Sequence, residues 1–408
     1  MATARPSFRA RATCAVAVCA LHLALLAPTV GERSGVLEVD FGPEAEGIAA
    51  GERPYRDHDL EYPPLSIPVL VAPALVSESV AGYTEAFQWE MIGFDLAIVV
   101  LIALALPGRW LRIGGALAVY TAGVVAMSGI VLGHSDLETS PLALARFDLA
   151  PAFFVLAAVL ARERGRSALW SALLSVGVAV KAFPLAVLPA LLRDERRLGR
   201  VAVPALAVLA LAAAIVLAYG DGFGSAIGYH TDRGLQIEAV AATPLEIAGI
   251  DDTSVAATYG SGSFNFTGAG ADEARAISLV LLVALYGAVL WAGVRARTSH
   301  IHLATALLAV VTVLAPVLSP QFLFWLLPLS AAAYGLGPPN LVLVAAAAMT
   351  QLMLQQYARV VVDFDPEFVW RLAGRNALLL AYLALVCAPI LRDGIRARAD
   401  APVAATTA

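Results

Sequence analysis

Long apolar runs separated by short charged segments extend over the whole chain. Many runs approach 20 residues, the length at which a helix rising 1.5 Å per residue crosses the core of a bilayer. The pattern therefore predicts an all-α integral membrane protein, a single polytopic domain over residues 1–408 with about twelve membrane segments. These are residues 13–30, 88–107, 112–133, 142–160, 168–181, 184–192, 201–218, 276–293, 301–318, 321–335, 340–356 and 371–390.

Three of the apolar runs are too short for ordinary spans. Residues 168–181 and 184–192 favour a helical hairpin, broken at Pro184, that enters the membrane from the cytoplasmic side. The run Leu65–Val76 has about twelve residues and is surrounded by prolines, which is typical of an interfacial or re-entrant segment.

Composition narrows the class of protein further. Hydrophobic residues make up 60% of the chain and charged residues 14%, with a mean hydropathy of +0.77. Soluble proteins carry about 25% charged residues, so these values exclude an ordinary soluble enzyme, a disordered chain and a disulfide-framework domain. The net charge of −5 gives no basic surface for nucleic acid, and we expect none as a partner.

Arginine clusters predict the orientation in the membrane. Each cluster opens or closes an apolar run, and the positive-inside rule places such clusters in the cytoplasm. Both termini are then cytoplasmic, including the tail 391–408, in a multi-pass protein of the plasma membrane. A cleaved signal peptide over Thr13–Val30 is the alternative, but the many later spans favour an uncleaved helix. The clusters are Arg5/Arg9/Arg11, Arg109/Arg112, Arg162/Arg164/Arg166, Arg193–Arg200, Arg295/Arg297 and Arg392/Arg396/Arg398.

Two large loops face outward in this topology, residues 31–64 and 219–275. The first is rich in carboxylates, most of which we interpret as solvated. Asp40 differs because it lies just beyond the first span, where the loop is tethered, and a carboxylate held there suits general-base catalysis on a hydroxyl. We expect Gly42–Pro43 to break the chain and Glu44–Ala50 to form a short helix that ends at Gly51. In the second loop, Tyr259–Gly270 is interpreted as a flexible glycine-rich segment.

Several motifs, taken in order, resemble a family of membrane glycosyltransferases. Their order is similar to that in glycosyltransferase family 87, bacterial α-mannosyltransferases of the GT-C fold that use polyprenyl-phosphate-mannose. The resemblance covers about residues 36–330. The motifs are an aspartate after the first span (Asp40), Gly51-x-x-Pro54-Tyr55, Tyr62-Pro63-Pro64, Arg146-Phe147-Asp148, Lys181-Ala-Phe-Pro184, Tyr229-His230 through Arg233 to Glu238, and Ser319-Pro320-Gln321-Phe322 with Trp325.

The resemblance implies both a fold and a reaction. The fold is a GT-C-like helical bundle whose first outer loop carries the active site. The reaction transfers a hexose, with mannose favoured, from a polyprenyl-phosphate donor to an extracytoplasmic glycolipid or polysaccharide acceptor. Asp40 is the expected catalytic base, and the displacement is expected to invert the anomeric centre because no second outer carboxylate is placed as a nucleophile.

The departing phosphate requires cations at the outer face, and the resemblance supplies Arg146, Lys181, His230 and Arg233. Lys181 is the only lysine in the chain. It either binds phosphate or forms a structural ion pair with Asp148 or Asp95. Arg146 and Asp148, two residues apart, would point in different directions from a helix, so we expect them to have separate partners.

The remaining candidates are weaker. Possible substrate contacts are Tyr55, Tyr62, Gln236, Glu238 and Gln321. Asp95, in the middle of a span, is interpreted as a hydrogen-bonded helix-packing residue. The histidine spacing predicts no metal site. We also expect no cofactor, and the inner loops are too short for a nucleotide-sugar domain.

Two other functions are consistent with a polytopic chain. One is a transporter or a lipid flippase for a glycolipid, and the other is a scaffold subunit with a degenerate site. A transporter would place polar residues at mid-membrane in two similar halves. In this chain the polar residues gather at the outer ends of the spans, which favours the enzyme.

Overall fold

The computed structural model describes residues 6–58, 60–134, 140–219, 224, 233–250, 256–260, 263–267, 270–355, 357 and 364–399. These ranges form a helical bundle with one small sheet. The helices are α1 (Phe8–Leu26), α2 (Gly42–Ala49), α3 (Ser66–Val71), α4 (Val80–Val100), α5 (Trp110–Ala126), α6 (Leu142–Ala145), α7 (Leu149–Glu163), α8 (Ser167–Val180), α9 (Leu188–Leu192), α10 (Leu198–Tyr219), α11 (Thr243–Gly249), α12 (Ala271–Arg295), α13 (His300–Leu314), α14 (Leu323–Tyr334), α15 (Pro338–Leu354) and α16 (Pro366–Ala399).

Burial follows the composition of each helix. Helices α13 and α14 are apolar on all sides and lie at the centre of the bundle, with nearly every residue buried. Helix α10 is equally apolar, but it packs on one side against α8 and leaves most of its other side chains exposed. An apolar helix with so many exposed side chains is suited to contact with lipid.

Five helices are long and apolar enough to cross a membrane: Phe8–Thr29, Val80–Ala105, Leu198–Ala218, Ala271–Arg295 and Pro366–Ala397. Every predicted membrane segment overlaps a helix, although the segment 142–160 is interrupted at residues 146–148 and several helices have only 10–17 residues. The all-α membrane class is therefore confirmed in its main feature. The count of twelve crossings stays a prediction.

The arginine clusters meet at one end of the bundle. Their guanidinium groups cap the carbonyl ends of neighbouring helices, where the helix dipole favours a cation. The contacts are Arg11 to Leu106 O (2.9 Å), Arg162 to Leu191 O (2.7 Å), Arg193 to Gly293 O (3.0 Å) and Arg112 to Ala332 O (3.2 Å). Helices α7 and α8 run in opposite directions from this end, so Asp148 and Lys181 lie together at the other.

The first outer segment differs from the expectation at Gly42–Pro43. The chain does not break there, because a π-helical turn over Val36–Phe41 runs directly into α2 with helical backbone angles throughout. Pro43 falls in the first turn of α2, a position where proline is tolerated. The end of this helix is as expected, since Gly51 follows it with φ of +104°.

The glycine-rich segment also differs from its interpretation as a flexible loop. Strands β2 (Ala256–Gly260) and β3 (Ser263–Thr267) pair antiparallel, and β1 (Leu235–Gln236) adds to the other edge of β3. This sheet is the one addition to the all-α prediction among the described residues.

Candidate active site

A cavity of about 660 Å³ opens at the end of the bundle opposite the arginine clusters. Its volume is typical of a small-molecule site. Eight of the ten predicted site residues line it: Asp40, Tyr62, Arg146, Lys181, Arg233, Gln236, Glu238 and Gln321. Tyr55 does not line it, and His230 lies outside the described residues.

Asp40 is fixed by the residue that follows it. Phe41 is buried and packs against the rings of Tyr62 (6.1 Å), Phe147 (5.9 Å) and Phe87 (6.0 Å). The Asp40 side chain stays exposed on the cavity side of the same turn. Burying Phe41 therefore holds the Asp40 backbone at the cavity wall.

Lys181 lies in a cage of acid and aromatic groups. Its Nζ atom is 2.8 Å from Asp148 Oδ1. The ring centroids of Phe147 (4.7 Å) and Tyr62 (5.3 Å) are close to the same atom, and Phe322 and Trp325 follow at 5.7 Å each. Aromatic faces and a carboxylate both attract an ammonium group.

The structure thus confirms the ion pair of Lys181 with Asp148, one of the roles that the sequence left open for this lysine. Asp95 is not the partner of Lys181. Asp148 is fully buried and also accepts a hydrogen bond from the indole nitrogen of Trp325. Asp95 lies elsewhere, bonded to His22 (2.6 Å) and Tyr120 (2.8 Å) between helices α1, α4 and α5. Its interpretation as a helix-packing residue is confirmed.

Arg146 and Asp148 have separate environments, as their spacing predicts. Arg146 is extended between α6 and α7, lines the cavity, and donates to Ala145 O at 3.0 Å. Asp148 points the other way, to Lys181 inside the bundle. One short motif therefore supplies a cation to the cavity and a counter-ion to its lysine.

The segment 233–238 forms another wall of the cavity. Arg233 Nη2 donates to Ser263 Oγ at 2.9 Å, which joins this segment to β3. The Gln236 amide is occupied on both sides: its oxygen accepts from Leu318 N (2.8 Å), and its nitrogen donates to Ser319 Oγ and to the Glu238 carboxylate. Gln236 thus connects β1 to the break between α13 and α14.

Glu238 is fully buried at the cavity wall. Burial raises the pKa of its carboxyl to about 7, against the lowering effect of Arg375, a hydrogen bond from Tyr357, and the charges of Arg233 and Arg146. A carboxyl with this pKa changes its charge near neutral pH. The charge of Glu238 is therefore sensitive to pH in this range.

The two tyrosines of the first outer segment have different places. Tyr55 is buried behind the wall, and its hydroxyl donates to Tyr62 O at 2.8 Å. Tyr62 reaches the cavity, and burial together with the Glu61 carboxylate raises the pKa of its hydroxyl well above the usual value. Gln321 is half-buried in the short helix Pro320–Phe322 and faces the cavity.

The cavity also contains polar groups that the sequence did not single out. They are Glu44, Glu61, Ser128, His134, Ser140, Ser263, Gln351 and Tyr357. Behind the wall lies Arg375, which is fully buried in α16. Arg375 could have been found from the sequence, because an arginine inside an apolar span is costly and rarely without a role.

Within the described ranges, no group of three or more histidine, cysteine or acidic side chains is arranged to hold a metal ion. The expectations of a site without metal and without cofactor stay predictions.

A helical membrane protein with a polar, charged cavity at one end of its bundle is consistent with an enzyme that acts on a lipid-linked substrate. The sequence profile of glycosyltransferase family 87 matches residues 60–320, more than half of the chain, and the protein belongs to this family. No curated protein matches the chain. Membership makes the protein a glycosyltransferase, which uses a sugar donor and an acceptor, and it favours the enzyme over the transporter. Asp40, Tyr55, Gln321 and Arg375 lie outside the matched segment.

Proposed function

We propose that the protein transfers a hexose, mannose in the first instance, from a polyprenyl-phosphate donor to an extracytoplasmic glycolipid or polysaccharide, as a GT-C-type enzyme. The observation that carries this proposal is the cavity itself. It places one exposed carboxylate, Asp40, in the same enclosed space as Arg146, Lys181 and Arg233. Transfer of a sugar from a phosphate requires such groups: a base for the acceptor hydroxyl and cations for the departing phosphate.

The cations stabilise the departing phosphate. The Lys181 ammonium has three N–H groups, and in the described structure one of them is directed to Asp148. Its aromatic cage suits a cation that borders both the bilayer and a phosphate. Arg146 and Arg233 add guanidinium groups, which match phosphate oxygens with paired hydrogen bonds. We include His230 in this proposal as a further residue that binds the phosphate or the sugar of the donor.

Asp40 acts as the general base in a single displacement. The acceptor hydroxyl gives its proton to the Asp40 carboxylate while its oxygen bonds to the anomeric carbon, and the bond from that carbon to the phosphate oxygen breaks. Attack from the face opposite the leaving phosphate inverts the anomeric centre, through a transition state of oxocarbenium character.

Among the carboxylates of the cavity, Asp40 suits the role of base best. Glu238 is fully buried, and Glu44 and Glu61 are half-buried. Asp40 is exposed to the cavity, where an acceptor can reach it. Tyr62, Gln321 and Glu238 are the proposed sugar contacts. Tyr55 and Gln236 support this set by holding Tyr62 and Glu238.

The proposed orientation places the cavity on the outer face of the plasma membrane. The arginine clusters at the opposite end of the bundle support a cytoplasmic location for that end. Both termini are then cytoplasmic, with about twelve crossings between them. The lipid tail of the donor lies in the bilayer, beside apolar helices such as α10.

A transfer assay tests the function directly. The full-length protein in membrane vesicles receives radiolabelled polyprenyl-phosphate-mannose and a lipid extract as acceptor, and the labelled product is identified by mass spectrometry. We expect a mannosylated glycolipid or glycan. Polyprenyl-phosphate-glucose tests the sugar, and GDP-mannose tests the donor class. Transfer from GDP-mannose but not from the lipid-linked donor would overturn the proposal.

A further inference from the structure

Arg375 is the most deeply buried cation in the described structure that the proposed reaction does not use. It lies in α16, among the largest fully buried side chains of the protein. Its Nη2 atom donates to the main-chain oxygen of Glu238 at 2.8 Å, whereas Nε and Nη1 have no hydrogen-bond partner among the described residues. Arginine stays protonated in proteins, so a buried guanidinium requires a negative charge close by.

Two buried carboxyl groups are available to provide that charge. Glu238 lines the cavity, and the attraction of Arg375 is the largest influence that favours its ionised form. Glu246 in α11 is also fully buried, and neither of its oxygens has a hydrogen-bond partner among the described residues. Burial and the nearby Glu238 raise the pKa of Glu246 to about 8. Glu238 is the counter-charge that the contacts favour, because Arg375 donates to the main chain of this residue.

The residue next to Arg375 strengthens this connection. Asn376 Nδ2 donates to Thr243 Oγ1 at 2.8 Å, just beyond the turn that carries Glu238. Two consecutive residues of α16 thus hold the segment 238–243 against the bundle. Gln236 holds the other side of Glu238 through the break between α13 and α14.

We propose that Arg375 is a positioning residue of the active site, which favours the ionised form of the Glu238 carboxylate and holds this residue at the cavity wall so that it accepts hydrogen bonds from hydroxyl groups of a bound sugar. The sugar ligand rests on the proposed function, but the charge coupling between Arg375 and Glu238 does not. In this arrangement the last helix of the bundle, remote in sequence from Asp40, contributes to substrate binding.

Several ionisable groups face Glu238 and influence its protonation. They are Arg375 from α16, Arg233 from its own segment, Arg146 from the connection before α7, Glu246 from α11 and the Tyr357 hydroxyl beyond α15. An opposite charge within a few ångströms lowers a carboxyl pKa by about 1–3 units. Loss of Arg375 alone should therefore move the Glu238 titration upward, although Arg233 and Arg146 remain.

Infrared difference spectroscopy on the full-length protein in nanodiscs measures this titration without any turnover. The band of the protonated carboxylic acid that disappears in Glu238→Gln is assigned to Glu238, and its midpoint is followed with pH. In Arg375→Gln the midpoint should rise by about 1–3 pH units. Arg371→Gln is the matched control, because Arg371 lies one turn earlier in α16 and bonds Leu352 O instead. The control should leave the midpoint unchanged.

An unchanged Glu238 midpoint in folded Arg375→Gln overturns the proposal. If this variant does not fold, Arg375→Gln/Glu238→Gln decides instead, because it removes both charges of the pair. Recovery of folding in this double variant supports the proposal, whereas recovery only with Glu246→Gln overturns it. A wild-type protein that transfers no sugar from any polyprenyl-phosphate donor contradicts the proposed function, and the infrared result still decides the coupling.

Where transfer is measured, the proposal makes a kinetic prediction as well. Arg375→Lys keeps the charge but loses the forked geometry, so the Glu238 midpoint should stay closer to that of the wild type than in Arg375→Gln. The wild-type KM for the sugar substrate should rise below pH 7 as Glu238 takes up its proton. In Arg375→Gln that rise should begin at higher pH. Identical pH profiles in the two proteins contradict a positioning role.

Discussion

At the scale of single residues, Lys181 combines two roles that the sequence presents as alternatives. Its ion pair with Asp148 is structural, yet its ammonium also borders the cavity. Asp148 offsets the lysine charge, so Lys181 acts as a fixed hydrogen-bond donor, and Arg146 and Arg233 supply the other positive charges of the cavity. Phosphate binding and ion pairing are therefore compatible.

Substitution of Lys181 by Ala should raise the donor KM by roughly 10–100-fold and leave the acceptor KM nearly unchanged. One charge-assisted hydrogen bond to phosphate contributes about 1.5–3 kcal/mol. Steady-state kinetics with each substrate varied in turn provides the measurement.

The single change also leaves Asp148 buried without its partner, which costs about 3–5 kcal/mol. The control is therefore Lys181→Met/Asp148→Asn, which removes both charges. Thermal unfolding should recover in this double variant while the donor KM stays high. Recovery of the donor KM together with stability would assign Lys181 a structural role alone.

Individual residues of the site were predictable to different degrees. The resemblance to a family identified Asp40, Arg146, Lys181 and Arg233 as candidate site residues, and all four line one cavity. Spacing alone could not have done so, because they lie on separate segments of the chain and meet only through the packing of the bundle. The role of Gln236 could not be predicted from the sequence either. Its amide bonds Leu318 and Ser319, which lie about 80 residues away in the chain.

At the scale of elements, the turn that carries Asp40 depends on Gly42. A Cβ atom at Gly42 would lie 2.6 Å from the main-chain oxygen of Leu37 and 3.3 Å from the Tyr83 ring. The π-helical turn and α2 can therefore follow one another only if residue 42 has no side chain. This local geometry fixes the direction in which Asp40 points.

Gly42→Ala should displace that turn and lower turnover by roughly 10–100-fold, since small shifts of a catalytic group are costly. Gly114→Ala in α5 is the control, because its Cβ would meet nothing within 4 Å. Turnover is measured at saturating donor and acceptor, with the amount of folded protein determined in parallel. Full activity in Gly42→Ala would mean that the exact path of this turn does not matter.

Helices were predictable as elements because apolar runs of the right length leave the backbone few alternatives in a membrane. The elements outside the spans were less predictable. Gly42–Pro43 is a typical break, yet here the proline occupies the first turn of a helix. The glycine-rich segment Tyr259–Gly270 overlaps strands β2 and β3, and β3 also pairs with β1, a contact between residues about 30 apart in the chain.

At the scale of the whole molecule, the two ends of the bundle have different chemistry. Arginines cap helix ends at one, and the cavity opens at the other. The direction of each helix, and so which arginines meet, follows from the alternation of the spans. Because this alternation can be read from the sequence, the separation of the two ends was predictable. The contacts within the cavity do not follow from it and were not predicted.

Cysteine labelling tests the orientation of these ends. In a variant without Cys14, Cys19 and Cys387, a cysteine at position 57 should react in intact cells with a membrane-impermeant thiol reagent. A cysteine at position 166 should react only after the membrane is opened. Asp57 and Arg166 are both exposed, so access from each side is the only difference measured. Labelling of position 166 in intact cells would place the cavity in the cytoplasm.

The most direct test of the account compares Asp40→Asn with Asp57→Asn in the polyprenyl-phosphate-mannose transfer assay. The asparagine at position 40 keeps the size of the side chain but cannot accept a proton. Turnover should fall by about 10²–10⁴-fold, while the protein inserts and binds the donor as before. Asp57 is exposed away from the cavity and caps Arg53 N, so its variant should keep normal turnover. Near-normal turnover in Asp40→Asn would contradict the account, and loss of activity in Glu44→Gln or Glu61→Gln would then identify the base.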